Sequence, residues 1–593
     1  MVPISKEGCG VHNASMVESA LQARWVIRSA DASVTARLEA GLGIHPLLAV
    51  VLANRGLTEP EEADKFLKPS LEDLHDPMLL PDCEAAVREI LRAKELGETV
   101  YVHGDYDVDG VTSAAIFSRS LSKLGLNVIS HVPHRIREGY GIHEFAIEHA
   151  KSMGAGLFLT CDCGTTANEM IEMARATGMR VVVTDHHQVQ GELPDADAVV
   201  NPHRRDSSYP FPELSGAGVA FKVAQATAEA CGVSKESFQR AFLDLAALGT
   251  LADIVPLTGE NRILATHGLA RLSETKKVGL RALMEVAGIQ RGATLTSFDV
   301  GFKLGPRINA AGRVDDADVA LRLLLTDDPS EARELAKTLD SHNQERRRAQ
   351  QETMEHAREL VERTWSPERR LIFVWAEDWP RGVVGIVAGK LAEAYSRPAL
   401  VASMDAVTGF AHGSGRSIPG FSLFEMLEAN SQLFESCGGH EAAVGFQIDA
   451  GRLEEAAEAL EAFASKVIRD EDLVPTFEAD ARIRPMDITL ELTKSIGSLA
   501  PFGVGNPEPL FAIFSTGIES WRAVGNGQHA QFRLGAAPNV KGIGFGFAER
   551  FSKLEPGQPV DLLVNVDTDR FNGNESPQAR LVDLRATAEC AER

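Results

Sequence analysis

Between residues 98 and 255, short apolar runs alternate with amphipathic stretches. The runs read TVYVHG (99–104), NVISHV (127–132), GLFLTC (156–161) and RVVVT (180–184). Most are rich in β-branched residues, each is short enough to be a buried strand, and the rhythm predicts βαβ units around a parallel sheet. Functional groups in such sheets collect beyond the carboxyl ends of the strands. Residues 256–327 read as mostly helical. Asp328 as N-cap and Pro329 as first helical residue then open a Glu/Arg/Gln-rich stretch to about Arg363. That is longer than a usual globular helix, and SHNQERRRAQQE in its middle fits a solvent-bathed rod joining two lobes.

A second α/β lobe follows, with LIFVW (371–375) and PALVAS (398–403) as strands. Beyond it FAIF (511–514), AQFRL (530–534) and DLLVNV (561–566) are short strands broken by Gly, Pro and Asn, which predicts a small β-barrel or sandwich. The expected domains are a helical extension (1–75), a parallel-sheet α/β catalytic domain (76–327), a connecting helix (328–365), a smaller α/β domain (366–465) and a β-domain (466–593).

Composition narrows the setting. The 593 residues include seven cysteines, an odd number with scattered spacing, so a disulfide framework is not expected and a reducing cytoplasm fits. Cys161 and Cys163 form a close pair without the second pair or spaced histidines that zinc needs. The segment MVPISKEGCG has no basic stretch before an apolar run, so no signal peptide is expected, and no apolar stretch approaches a membrane span. The net charge of −24 argues against a nucleic-acid partner unless a local basic groove exists and metal ions neutralise some carboxylates.

Four polar clusters carry the candidate chemistry. HGDYDVDG (103–110) supplies His103, Asp105, Asp107 and Asp109; LTCDCG supplies Asp162; Asp185, His186 and His187 follow RVVVT; Asp253 lies in LADIVPL. A single Asp at a strand end is usually a turn or helix cap. Four such clusters, each ending an apolar run, instead suit two hard divalent cations that activate water and stabilise a leaving oxygen. Oxygen-rich ligation with one or two imidazoles favours Mn²⁺ or Mg²⁺ over zinc. The DxDxD run lacks the Gly and Glu of an EF-hand loop. GIVAGKL (385–391) lacks the spacing and the Ser/Thr of a phosphate loop, so ATP is not expected to be needed.

DYDVDG, the strand-end Asp162, DHH and the later AD-x-V resemble the four motifs of the DHH phosphoesterase superfamily. Longer strings are similar to its RecJ exonucleases over about residues 25 to 570. They include PHRIREGYG (133–141), NPHRRDSSYPFPELSGAGVAFK (201–222), GFKLGPRINAAGRVDDADVALRLLLTDD (301–328), GSGRSIPGFSL (413–423), GGHEAAVGF (438–446) and LAPFGVGNPEPLF (499–511). The resemblance implies that His103 and Asp107 bind one ion, Asp109 and Asp253 the other, and that Asp162 bridges them. It implies that His186 is a further ligand or holds phosphate and that His187 supports the site, with Asp105 and Asp185 orienting ligands. Ser414, Arg416 and His440 match a substrate-binding subdomain in which Gly413 and Gly415 allow close backbone approach and Gly438-Gly439-His440 forms a tight turn. Arg135, Arg307 and Arg313 are phosphate candidates, and Tyr140 is a candidate base-stacking platform.

The β-domain resembles an OB-fold. The activity implied is 5′-to-3′ digestion of single-stranded DNA to 5′-mononucleotides with two Mn²⁺ or Mg²⁺ ions. A cytoplasmic monomer acting in recombination and repair with a helicase and a single-strand-binding protein is also implied. The competing readings are a phosphodiesterase for short oligonucleotides or cyclic dinucleotides and an inactive DHH scaffold in a replication assembly. The third domain favours a polymer substrate, and Asp or His at every expected ligand position disfavours the scaffold.

Overall fold

The computed structural model describes residues 23–134, 138–139, 141–314, 318–571 and 574–587. The chain forms two compact units. One comprises Leu57–Gln344 with Ser498–Glu508; the other comprises Met1–Gly56, Glu345–Gly497 and Pro509–Arg593.

The first unit is built on five parallel strands: β1 (Thr99–Gly104), β2 (Asn127–His131), β3 (Ala155–Cys161), β4 (Arg180–Thr184) and β5 (Ala198–Val200), in the order β2-β1-β3-β4-β5. The cores of β1, β3 and β4 are buried, which is why they read as continuous apolar runs rather than alternating ones. The first four match the runs predicted from sequence, while β5 was not predicted. This order reverses direction between β1 and β3, the position where doubly wound sheets open a crevice for ligands. Helices α1 (Val108–Lys123), α2 (Gly216–Ala230) and α3 (Lys235–Ala252) pack on one another and are largely buried.

Arg262 is a buried cation in this unit. Its guanidinium lies over the Phe66 ring at 4.0 Å and donates to the carbonyls of Phe66 (2.7 Å), Leu499 (2.8 Å) and Ala500 (3.1 Å). A lysine cannot span that fork. Arg262→Lys is therefore expected to lower unfolding free energy by roughly 2–4 kcal/mol, as buried carbonyls lose their donors. Denaturant titration checks it, and an unchanged midpoint would refute it.

The long helix α4 (Pro329–Thr364) starts as predicted: the Asp328 carboxylate accepts the Ser330 N–H at 2.7 Å, and Pro329 is the first helical residue. The boundary between the two units falls inside it.

The second unit holds a five-stranded sheet of β6 (Ile372–Glu377), β7 (Ala399–Met404), β8 (Phe410–Arg416), β9 (Ser436–His440) and β10 (Ala443–Asp449), in the order β9-β10-β8-β7-β6. GIVAGKL lies within the helix Arg381–Tyr395 and is no loop. A seven-stranded sheet follows, with the hairpin Val560–Phe571/Asn574–Ala586 at its centre. The N-terminal region is not wholly helical. Arg24–Ile27 is a strand paired in parallel with Thr476–Ala479, and helices begin at Ala32. Among the described residues no helix is long and apolar enough to cross a membrane.

Candidate metal centre

Strand register assembles the site. Gly104, Cys161 and Thr184 lie abreast at the ends of β1, β3 and β4, so the next residues, Asp105, Asp162 and Asp185, share one edge of the sheet. Asp107 caps α1, its Oδ1 accepting the N–H groups of Asp109 (2.9 Å) and Gly110 (3.0 Å). Asp253 is the residue that ends α3. Asp162 has a left-handed backbone, φ 63°, a conformation that short polar residues tolerate.

These side chains converge in three overlapping groups whose ligand atoms lie within 4.8 Å of one another: Asp105–Asp107–Asp162, Asp162–His186–His187 and Asp109–His186–Asp253. The His186 Nε2 is 3.1 Å from Asp162, 3.6 Å from Asp253 and 3.9 Å from Asp109. Asp162 and His186 each belong to two groups. Asp105, expected to orient ligands, stands among them. His103 is outside the groups: its Nε2 bonds to the Gly141 carbonyl at 3.1 Å, and its ring stacks near Phe158 and His131. Asp185 holds the DHH segment. It accepts from the N–H of His186 (2.7 Å), the imidazole of His187 (2.8 Å) and the N–H of Thr165 (2.9 Å).

Several parts of the site had no sequence signal of their own. The Asp109 carboxylate accepts the N–H groups of Gly216 (2.6 Å) and Ala217 (2.9 Å) at the start of α2, a helix end suited to negative charge. Asn201 ties the Thr165 hydroxyl to the His187 carbonyl, both at 2.9 Å. Gly249, inside α3, lets that helix approach Asp109 closely: a Cβ there would lie 2.5 Å from Asp109 Oδ1 and 2.5 Å from Ala217 Cβ. Asn201 and Gly216 lie in the long string 201–222 already singled out, but not as site residues.

The electrostatics are those of a site short of positive charge. Burial, with the neighbouring Asp107 charge, pushes Asp105 up to about 8 and Asp109 up to about 7. Burial and the charges of Asp109 and Asp107 push Asp253 up to about 9. Asp162, buried among four carboxylates, is raised well above its ordinary value. Burial lowers His103 to about 3, helped by His131, and His186 to about 4, helped by His187. Burial opposes the charge on Asp185, but the hydrogen bond and charge of His187 prevail and hold it low, while His187 is raised in return. Five buried atoms at this site have no hydrogen-bond partner among the described residues: His103 Nδ1, Asp105 Oδ1, Asp162 Oδ1, His186 Nε2 and Asp253 Oδ2. Unpaired buried acceptors are costly, and carboxylate oxygens with neutral imidazoles are the donor set that hard divalent cations take. The residues fit such ions. Cys161 and Cys163 are buried thiols with raised pKa and belong to none of the groups.

A proton count follows from these shifts. Carboxyls whose folded pKa is raised keep protons that the unfolded chain would shed. Stability of the metal-free protein is therefore lost as pH climbs from the ordinary value, 3.8, towards about 9. A divalent cation must displace those protons. Calorimetry of Mn²⁺ binding at pH 7, in buffers of different ionisation enthalpy, is expected to show release of on the order of three protons. The melting-temperature gain from Mn²⁺ should grow between about pH 6 and pH 8.5. Binding without proton release would mean the carboxylates are already ionised.

The remaining expected contacts divide. Arg307 donates to Asp340 and to the Lys303 carbonyl at 2.9 and 2.7 Å. Ser414 and Arg416 lie on β8, with the guanidinium donating to the Ser414 hydroxyl and the Gly415 carbonyl. The expected close approach at Gly413 is filled from within, since a Cβ there would overlap the Phe446 ring. Gly438-Gly439-His440 is part of edge strand β9, paired with β10, and not a turn; the turn is at Glu441 and Ala442. His440 is exposed. Arg135, Tyr140 and the side chain of Arg313 lie outside the described residues.

Comparison with known proteins accords with this arrangement. Residues 99–250 match the model of the DHH family, N-terminal domain; 368–466 match the DHHA1 domain; and 479–583 match the RecJ OB domain. The single-stranded-DNA-specific exonuclease RecJ of Bacillus subtilis is 36% identical over 94% of this chain and 70% of its own length. The crystal structure of Thermus thermophilus RecJ with Mn²⁺ superposes with a TM-score of 0.81 at 31% identity, covering 95% of this chain and 80% of that one. The same protein with Mg²⁺ gives 0.76, covering 95% and 79%. The chain belongs to the RecJ family.

Proposed function

We propose that this chain is a single-strand-specific exodeoxyribonuclease that digests DNA from the 5′ end to 5′-mononucleotides with two divalent cations, Mn²⁺ or Mg²⁺. The observation that carries the reading is the convergence of Asp105, Asp107, Asp109, Asp162, His186, His187 and Asp253 in three groups, Asp162 and His186 each belonging to two of them. Two overlapping sets of donors with a common carboxylate suit a pair of ions. Asp162 is the bridging candidate, and the buried, unpartnered His103 Nδ1 is a further donor. When bound, such ions lower the pKa of water and offset charge building at the phosphate.

The chain's own residues supply the preorganisation. Asp185 fixes the His187 ring and the DHH backbone. The start of α2 holds Asp109 at a set angle through two N–H donors. Arg416, Ser414 and His440 are proposed to take backbone phosphates of the strand, Arg416 through its fork. The region matching the RecJ OB domain is proposed to hold the strand further from the cut, as OB folds do through stacking and a basic groove. We place the protein in cytoplasmic recombination and repair, as a monomer working with a helicase and a single-strand-binding protein.

Digestion of 5′- and 3′-end-labelled single-stranded DNA, duplex DNA and RNA, with Mn²⁺, Mg²⁺ or chelator, tests the reading. The expected result is metal-dependent release of labelled mononucleotide from the 5′ end of single-stranded DNA. Release from the 3′ end, equal attack on duplex, or a preference for dinucleotides over long strands would overturn it.

A further inference from the structure

We propose that Phe302, stacked on Phe298, is a shelf on which a nucleobase of the incoming strand lies; this rests on the nuclease reading above. The two rings have centroids 4.7 Å apart at an interplanar angle of 24°, yet Phe298 is 38% and Phe302 65% exposed. They come from an irregular stretch. A capping box at Thr296 and Asp299 starts a single turn, Ser297–Asp299, and a π-helical turn, Val300–Leu304, follows it. Such turns are rare and concentrate at functional sites. Val300 and Leu304 point into the core, fully buried, which leaves the Phe298/Phe302 pair on the outer face.

The turn is anchored against the metal centre. A Cβ at Gly305 would meet Val108 at 3.7 Å and Ala252 at 3.8 Å. Val108 sits between Asp107 and Asp109, and Ala252 precedes Asp253, so the shelf is built onto two ligand-bearing segments. Ile254, the residue after Asp253, adds a second oddity: a β-branched residue held at φ 65° with its side chain 73% exposed. That conformation is strained for isoleucine, and it turns an apolar group outwards beside the site instead of burying it.

A base is the occupant that suits these surfaces. A phenyl face stacks on any nucleobase, needs no hydrogen bond and imposes no sequence preference. The Phe298 ring beneath Phe302 holds it flat, as offset aromatic pairs do. A base in a duplex is already stacked on both sides, so the shelf also favours single strands.

The test compares full-length wild type with Phe302→Ala and Phe302→Trp. The substrates are one oligonucleotide and a version of equal length that lacks bases at its first few 5′ positions. Wild type is expected to show a KM on the order of tenfold lower for the normal strand than for the abasic one. Phe302→Ala should raise KM on the normal strand by a similar factor and leave the abasic strand and Mn²⁺ affinity unchanged; Phe302→Trp should restore the preference. An active wild type with unchanged KM in Phe302→Ala overturns the shelf alone. Equal loss on both strands with weakened Mn²⁺ binding also overturns it, since Phe302 would then only support the Asp253 segment. A wild type inactive on every strand overturns the nuclease reading, and the shelf with it.

Discussion

Replacing Asp162 by asparagine is expected to lower kcat on single-stranded DNA by at least about a thousandfold. Asp162 is the one carboxylate common to two of the three donor groups and is within 3.1 Å of His186. Loss of its charge removes several kcal/mol of metal-dependent stabilisation, and about 1.4 kcal/mol corresponds to each tenfold in rate. The substitution separates chemistry from folding. In the metal-free protein Asp162 is pushed towards its neutral form by burial and by Asp109, Asp107, Asp253 and Asp105. A neutral amide of the same shape, in a left-handed position that Asn accepts, should leave the chelator-treated protein as stable as wild type or more so. The Mn²⁺-dependent rise in melting temperature should shrink or vanish. Thermal melts with and without Mn²⁺, beside single-turnover digestion, check both halves. A variant that keeps near-wild-type kcat would remove Asp162 from the centre of the mechanism.

Gly249→Ala is expected to give the second-largest effect, with a sign opposite to the usual rule. Alanine in place of glycine inside a helix ordinarily stabilises by about 0.5–1 kcal/mol. Here the added Cβ would fall 2.5 Å from the Asp109 carboxylate and from the Ala217 methyl, and against the Thr112 hydroxyl. Three helices, α1, α2 and α3, meet at that point. Overpacking of this kind costs about 1–3 kcal/mol. The cheapest relief is a shift of Asp109, whose two oxygens are pinned by the start of α2. A ligand displaced by about 1 Å can cost on the order of a hundredfold in rate. The expected outcome is a lower melting temperature together with a kcat loss of about that size, read by calorimetry and end-labelled digestion. A more stable, fully active variant would show that the helices can part without moving the site.

What could be read in the letters was whatever is encoded locally. Strands β1, β3 and β4 announced themselves because buried parallel strands need nearly continuous apolar runs, β2 because Val128 and Ile129 are β-branched, and α4 because Asp328 and Pro329 form a cap and first turn. The three-residue β5 is too short to carry such a run, and Arg24–Ile27 pairs with Thr476–Ala479, a partner over four hundred residues away. The acidic and histidine clusters were legible because each follows an apolar run. The donors that hold Asp109 were not, because they are backbone N–H groups of Gly216 and Ala217, and any residue but proline has one. The bond from Arg307 to Asp340 was not legible either, because its partner comes 33 residues later. Gly413 looked like room for a ligand because no pattern shows that the Phe446 ring fills that room.

Arg262 sets an order for making the molecule. Its guanidinium needs the carbonyls of Leu499 and Ala500, 237 and 238 positions further on. The stretch 345–497 is thus an insertion spliced into the chain of the metal-bearing unit. On the ribosome that unit stays incomplete until residues 498–508 emerge, after the whole of 345–497 has been synthesised. A fragment ending at Gln344 would carry every proposed metal ligand and still leave this buried cation without its Leu499 and Ala500 acceptors.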